Sequence, residues 1–237
     1  IERGVPHGAT LPLTLGADRK HLVVRWQGEQ LTLPVLFELE GLRERASMDF
    51  RTLLAVHEAG HGLAYAVLMG RAPQEVRINV ASFNGGYNSY APQKAWSRRM
   101  LREAICVSLA GRAAEALVFG PDAVTTGAEA DRKQATASAM AYVRRHGFGS
   151  RLSRTDVTTQ QDDDINTDVQ PTNAEAEALL AAEAERATAL LRTHGSAFRA
   201  LVQRLLDTGT VPAAEFAQVT GIAVQAPGAA APTGPEP

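Results

Sequence analysis

His57-Glu58-Ala59-Gly60-His61 sets two imidazoles four residues apart, with a carboxylate beside the first. On a helix, residues i and i+4 share a face one turn apart, so both rings can reach a single ion. Zinc takes N and O donors in tetrahedral geometry, and catalytic sites leave one position to water. That water ionises near neutral pH, and Glu58 is placed to take its proton and pass it to a leaving amine. The chemistry is hydrolysis. The motif supplies only two ligands, and no further His or Glu follows at short spacing to complete the set. His7, His21, His146 and His194 stand in unrelated contexts and read as surface or capping residues. The competing reading is a packed or solvated helix face with no metal. Against it stand Gly60 and Gly62. A glycine inside a helix costs roughly 1 kcal/mol relative to alanine, which makes sense if a backbone or substrate comes close there.

The elements that must carry these residues follow from periodicity. Phe50, Leu53, Leu54, Val56, Ala59, Leu63, Ala64, Val67 and Leu68 recur at helical spacing as far as Met69, and Gly70 stops the helix. Val76–Val80 and Tyr87–Tyr90 read as short strands of a hairpin around Phe83-Asn84-Gly85-Gly86. A helix is expected from about Ala95 to Phe119, ended by Gly120-Pro121, and another from Glu129, behind Thr125-Thr126-Gly127, to Gly147. Residues 153–172 are polar and read as a loop. Helices follow over Asn173–Thr193, Ser196–Leu206 and Ala213–Val219, with Thr210 and Val211 in the last turn and Pro212 at the first helical position. Upstream, Leu11–Leu15, His21–Trp26 and Gln30–Leu39 alternate as strands of a meander, with Pro12 and Pro34 marking edges or bends. The fold class expected is mainly α: a helical metallopeptidase domain with a small β-hairpin and edge strand, after a short β-rich segment. The divisions expected are 1–46, 47–222 and a disordered Ala/Pro/Gly tail over 223–237.

Composition excludes several classes. In 237 residues, 24 Lys and Arg against 26 Asp and Glu give a formal charge of −2, too balanced and too scattered for a nucleic-acid partner. The single cysteine, Cys106, allows no internal disulfide and no thiolate cage. It lies in the apolar run Ile105-Cys106-Val107 and reads as a buried, inert thiol in a reducing compartment. No run of roughly 18 apolar residues exists to cross a bilayer, so the chain is expected to be soluble. It begins at Ile1 rather than Met, and is expected to be a piece or processed product of a longer one.

From His57 to about Val219 the chain resembles the peptidase domain of the FtsH family of membrane-bound, ATP-dependent zinc proteases. Three blocks carry the resemblance: HEAGH at 57–61, LAGRAAEALVFG at 109–120 and TTGAEADRKQAT at 125–136. It implies Zn2+ as cofactor, protein or peptide substrates, a hexameric ring, and a full-length protein anchored in a membrane and facing the cytoplasm. It also implies that Asp131, in the third block, is the third metal ligand. A carboxylate in the first turn of a helix can approach an ion held elsewhere, although a helix-dipole acid would look the same by itself. Glu115, in the second block, is a candidate partner for a ligand imidazole, a solvated helix glutamate being the alternative. Gly86, Tyr87 and Asn88 occupy the place of the family's substrate-binding edge strand, where an extended peptide would add by backbone hydrogen bonds. Ala130 and Arg132 depart from the family pattern, which usually has asparagine and an aliphatic residue there.

No GxxxxGK[ST] phosphate loop is present, so the ATPase or unfoldase module is expected to be removed or separate. Two functions fit. One is a zinc endopeptidase cutting unfolded or extended protein segments. The other is a catalytically silent zinc scaffold or partner-binding domain, which the intact Glu58 argues against.

Overall fold

The computed structural model describes residues 11–16, 21–26, 28–34, 48–78, 85–93, 95–154 and 169–225. The chain divides into two compact units, Ile1–Ala46 and Ser47–Pro237. In the first, β1 (Leu13–Leu15), β2 (His21–Trp26) and β3 (Glu29–Pro34) form an antiparallel sheet in the order β1-β2-β3. Leu13 stands opposite Val24, and Leu22 opposite Leu33. Pro34 closes the edge strand β3, where a missing N–H is tolerated. Positions 35–39 of the third expected strand lie outside the described residues.

The second unit is mainly α, as the periodicity implied. It comprises α1 (Met48–Met69), α2 (Arg98–Phe119), α3 (Glu129–Arg144), α4 (Gln170–Thr193), α5 (Gly195–Thr208) and α6 (Ala213–Thr220). A second sheet, ordered β5-β4-β6, is built from β4 (Glu75–Ile78), β5 (Gly86–Ser89) and β6 (Thr210–Pro212). Helix α1 is the hub. Ala55, Ala59, Leu63 and Ala64 are fully buried, and the same core takes in Val76 of β4, Leu201 and Leu205 of α5, and Phe216 of α6. A smaller core joins Ile105 of α2 to Ala135, Ala139, Tyr142 and Val143 of α3 and Ala176 of α4.

The two glycines of α1 mark its two closest approaches. A Cβ on Gly60 would stand 2.6 Å from the Ala110 carbonyl oxygen, so α1 and α2 meet backbone to backbone. A Cβ on Gly62 would stand 2.8 Å from Val76 Cγ2 and 3.0 Å from Asn88 Oδ1, on the side of the sheet. Helix α1 thereby comes close enough to α2 and to β5 for its side chains to reach residues of both.

Several boundaries differ from the sequence reading, each for a local reason. Helix α2 begins at Arg98, not Ala95, because the Ser97 hydroxyl caps it by accepting the Met100 N–H at 3.2 Å. Helix α4 begins at Gln170 rather than Asn173, with Pro171 in its first turn. Buried Arg144, near the end of α3, fastens that start by donating to Thr172 Oγ1 at 3.0 Å and Asn173 Oδ1 at 2.6 Å. Thr210 and Val211 are not a turn: with Pro212 they form β6, and fully buried Val211 lies opposite Val76. Pro212 is extended (φ −74°, ψ 159°) and precedes α6, while the Ala213 N–H donates to the Gln74 carbonyl at 3.0 Å. Positions 79–84, which hold the end of the expected Val76–Val80 strand and the start of the expected turn, most of the expected 153–172 loop (155–168) and the tail from 226 lie outside the described residues. Among the described residues, no helix is long and apolar enough to cross a membrane.

Candidate metal centre

Helix α1 presents His57 and His61 on one face toward α2, both nearly buried. Each ring is fixed through Nδ1. His57 Nδ1–H donates to Glu115 Oε1 at 2.6 Å, and His61 Nδ1–H donates to the Val107 carbonyl at 2.7 Å. An ionised carboxylate and a carbonyl can only accept, which assigns the proton of each neutral ring to Nδ1 and leaves each Nε2 with a bare lone pair. Those two atoms stand 3.0 Å apart. Asp131 Oδ2, from the first turn of α3, lies 3.0 Å from His57 Nε2 and 3.3 Å from His61 Nε2.

Three acceptors converging at such distances repel one another unless a cation lies among them. Burial pushes the His57 imidazolium down, but hydrogen bonds with Asp131 and Glu115 outweigh it and raise its pKa to about 9. Burial likewise pushes Asp131 up, yet both imidazoles together hold its carboxyl well below the usual range. A tetrahedral zinc ion with ligands at about 2.0–2.2 Å separates its donors by roughly 3.3 Å. The observed triangle matches one face of that tetrahedron, and the donor set of two imidazoles and a carboxylate suits zinc.

Gly111 of α2 makes room for the pair of rings. A Cβ there would stand 2.7 Å from both Cε1 and Nε2 of His57 and closer still to His61 Nε2. Glu115, almost fully buried, is itself held: Thr125 donates to its Oε2 from the backbone N–H at 2.8 Å and from the hydroxyl at 3.1 Å. Burial acts to raise its pKa, but the bonds from His57 and Thr125 prevail and keep it ionised. Glu115 is thus a partner of His57 rather than a solvated helix residue.

Glu58 is also buried, and burial pushes its pKa up against the opposing pull of His61, His57 and Asn88. The Asn88 amide donates to Glu58 Oε2 at 2.7 Å and to the Glu58 carbonyl at 3.1 Å. Gly86 approaches from the same strand: a Cβ on it would meet Glu58 Cγ at 2.5 Å and Oε1 at 2.7 Å. Residues 86 and 88 share one face of β5. Tyr87, on the other face, donates its hydroxyl to Glu75 Oε2 at 2.8 Å. An open cleft of about 390 Å³ is lined by His57, Glu58, His61, Asp131 and Gly86–Asn88.

All seven site residues named from sequence therefore line this cleft, and Glu115 stands behind His57. Sequence reading missed Gly111, Thr125 and the Val107 carbonyl. Gly111 and Thr125 do fall inside the second and third motif blocks, whereas a backbone carbonyl leaves no mark in the residue types.

The sequence model of Peptidase family M41 matches residues 44–219. The chain belongs to this family. Three relatives illustrate what the chain is similar to. The ATP-dependent zinc metalloprotease FtsH 2 of Sphaerobacter thermophilus is 32% identical over 179 residues, covering 73% of this chain and 27% of that protein. The chloroplastic ATP-dependent zinc metalloprotease FTSH 1 of Oryza sativa is 30% identical over 190 residues, covering 72% and 28%. The ATP-dependent zinc metalloprotease FtsH 3 of Sphaerobacter thermophilus is 32% identical over 228 residues, covering 90% and 45%. The chain thus spans from about a quarter to under half of these relatives' length. The M41 assignment bears out the FtsH resemblance drawn from the three motif blocks.

Proposed function

We propose that this chain is a zinc-dependent endopeptidase that cuts extended or unfolded protein segments. The observation that carries the reading is the convergence of His57 Nε2, His61 Nε2 and Asp131 Oδ2 within 3.3 Å of one another, beside a buried carboxylate. His57, His61 and Asp131 would hold the zinc, which when bound acidifies water and polarises a carbonyl. Glu58 takes the proton of the attacking water and returns it to the leaving amine nitrogen. Its burial favours the protonated form, which eases the second transfer. Glu115 and the Val107 carbonyl hold the two imidazoles in the tautomer that ligation requires.

Strand β5 is the edge of its sheet, and an extended peptide adds there through backbone hydrogen bonds. Main-chain recognition tolerates many sequences and requires an unfolded substrate. Unfolding energy would come from an ATPase module, such as the names of the FtsH relatives indicate, since no phosphate loop occurs in these residues. The peptidase unit is proposed to be 47–222, assembled as a ring in a longer, membrane-anchored protein. Casein cleavage by the zinc-loaded chain is expected to vanish in Glu58→Gln while zinc content stays at the wild-type level. Equal cleavage by both proteins would remove Glu58 from the mechanism.

A further inference from the structure

Among the described residues, the hydrogen bond to the Glu58 carboxylate comes from Asn88 of β5, and it comes at a visible cost. Both Nδ2 hydrogens of Asn88 are directed at Glu58, one to the side-chain Oε2 at 2.7 Å and one to the main-chain oxygen at 3.1 Å. A main-chain carbonyl and the ionised carboxylate that a general base requires only accept, so reversing the amide would face oxygen against two oxygens. The orientation leaves Asn88 Oδ1 buried without a hydrogen-bond partner. Buried amide oxygens are rarely left so. The orphan oxygen packs against the bare Cα of Gly62, whose absent Cβ would stand 3.0 Å away. Gly62 is thus the residue of α1 that admits the amide, four positions after the carboxylate that the amide holds.

Among the described residues, Glu58 Oε1 receives no donor; it borders the cleft beside Gly86. The two carboxylate oxygens are therefore distinguished by their surroundings. One is tied to the strand, and the other is open to a water.

We propose that Asn88 is a positioning residue: locked between Gly62 and Glu58, its amide fixes the Glu58 carboxylate so that Oε1 faces the reacting water. The proposal rests on the endopeptidase reading and narrows the role of β5. The Asn88 side chain serves the base, and the strand's backbone serves the peptide. A substrate-contacting side chain and a base-positioning one differ in kinetics. Loss of the first raises KM, whereas loss of the second lowers kcat.

The test uses the zinc-loaded chain with a quenched fluorescent peptide, comparing wild type, Asn88→Ala, Asn88→Ser and Glu58→Gln, with zinc content measured for each. Asn88→Ala is expected to lose kcat by about ten- to a hundredfold, as a misdirected catalytic group does. Its KM should stay within about threefold and its zinc content unchanged. Asn88→Ser keeps one donor and should recover part of the loss. A raised KM at wild-type kcat in Asn88→Ala would overturn the proposal in favour of substrate contact. If Asn88→Ala fails to fold, Asn88→Ser decides alone: wild-type kcat with raised KM overturns the proposal, and a lowered kcat at wild-type KM supports it. Cleavage that depends on Glu58 but ignores Asn88 sinks only this inference. Cleavage that ignores Glu58 sinks the endopeptidase reading and the inference with it.

Discussion

At the scale of single residues, the centre is governed by which atoms carry protons and which positions carry no side chain. Glu115 and the Val107 carbonyl assign the proton of each ring, and the bare Nε2 atoms follow. Gly111 is the clearest case of an absent side chain. In the middle of a helix, alanine is ordinarily about 1 kcal/mol better than glycine. Here the added methyl would stand 2.7 Å from His57 Nε2. Gly111→Ala is therefore expected to retain or raise helix content by circular dichroism while losing zinc, measured by metal analysis after dialysis. A variant that keeps full zinc would show that the rings have more room than the structure gives them. His57, Glu58 and His61 were legible because one helix carries all three at fixed angular spacing. Asp131 was not legible from chain physics, since 74 positions separate it from His57 and only the family motif pointed to it.

At the scale of elements, the site depends on how closely α1 approaches α2 and the β5-β4-β6 sheet. The helices were legible because long periodic stretches leave a strong pattern, and α1 is apolar almost all round, as a central helix must be. β6 was not legible: three residues ending in proline carry no alternation, and the strand exists because β4 offers a free edge beside a buried Val211. Gly60 measures the α1–α2 contact. A methyl there would meet the Ala110 carbonyl oxygen at 2.6 Å and Ala114 Cβ at 2.8 Å, and neither can move without moving α2. Gly60→Ala is expected to destabilise the fold by about 1–3 kcal/mol, as overpacking does, in urea unfolding followed by circular dichroism. Gain of stability, the outcome that helix propensity alone would give, would refute the close packing.

At the scale of the whole molecule, the second unit has a core that runs from α1 through β4 to α5 and α6. Cys106 reports on the integrity of its neighbourhood. Its thiol is fully buried in α2, and burial, aided by Glu183 and Glu103 against Arg186, pushes its pKa up to about 12. The thiolate is the reactive form. An ordinary thiol gains reactivity steadily from pH 7 to 9, but this one, with its raised pKa, remains protonated throughout. Alkylation by iodoacetamide should thus be negligible in the native protein across that range and become rapid in urea. Rapid alkylation at pH 7 without denaturant would show that α2 opens.

Three donors from α1 and α3 are proposed to surround one ion, and X-ray absorption at the zinc edge reads them directly. The zinc-loaded wild type is expected to show only N and O neighbours at about 2.0–2.2 Å, with imidazole outer-shell scattering from two rings. Asp131→Ala should then lose zinc sharply at unchanged helix content. Full zinc occupancy in Asp131→Ala, with an unaltered absorption spectrum, would show that the third donor is not Asp131.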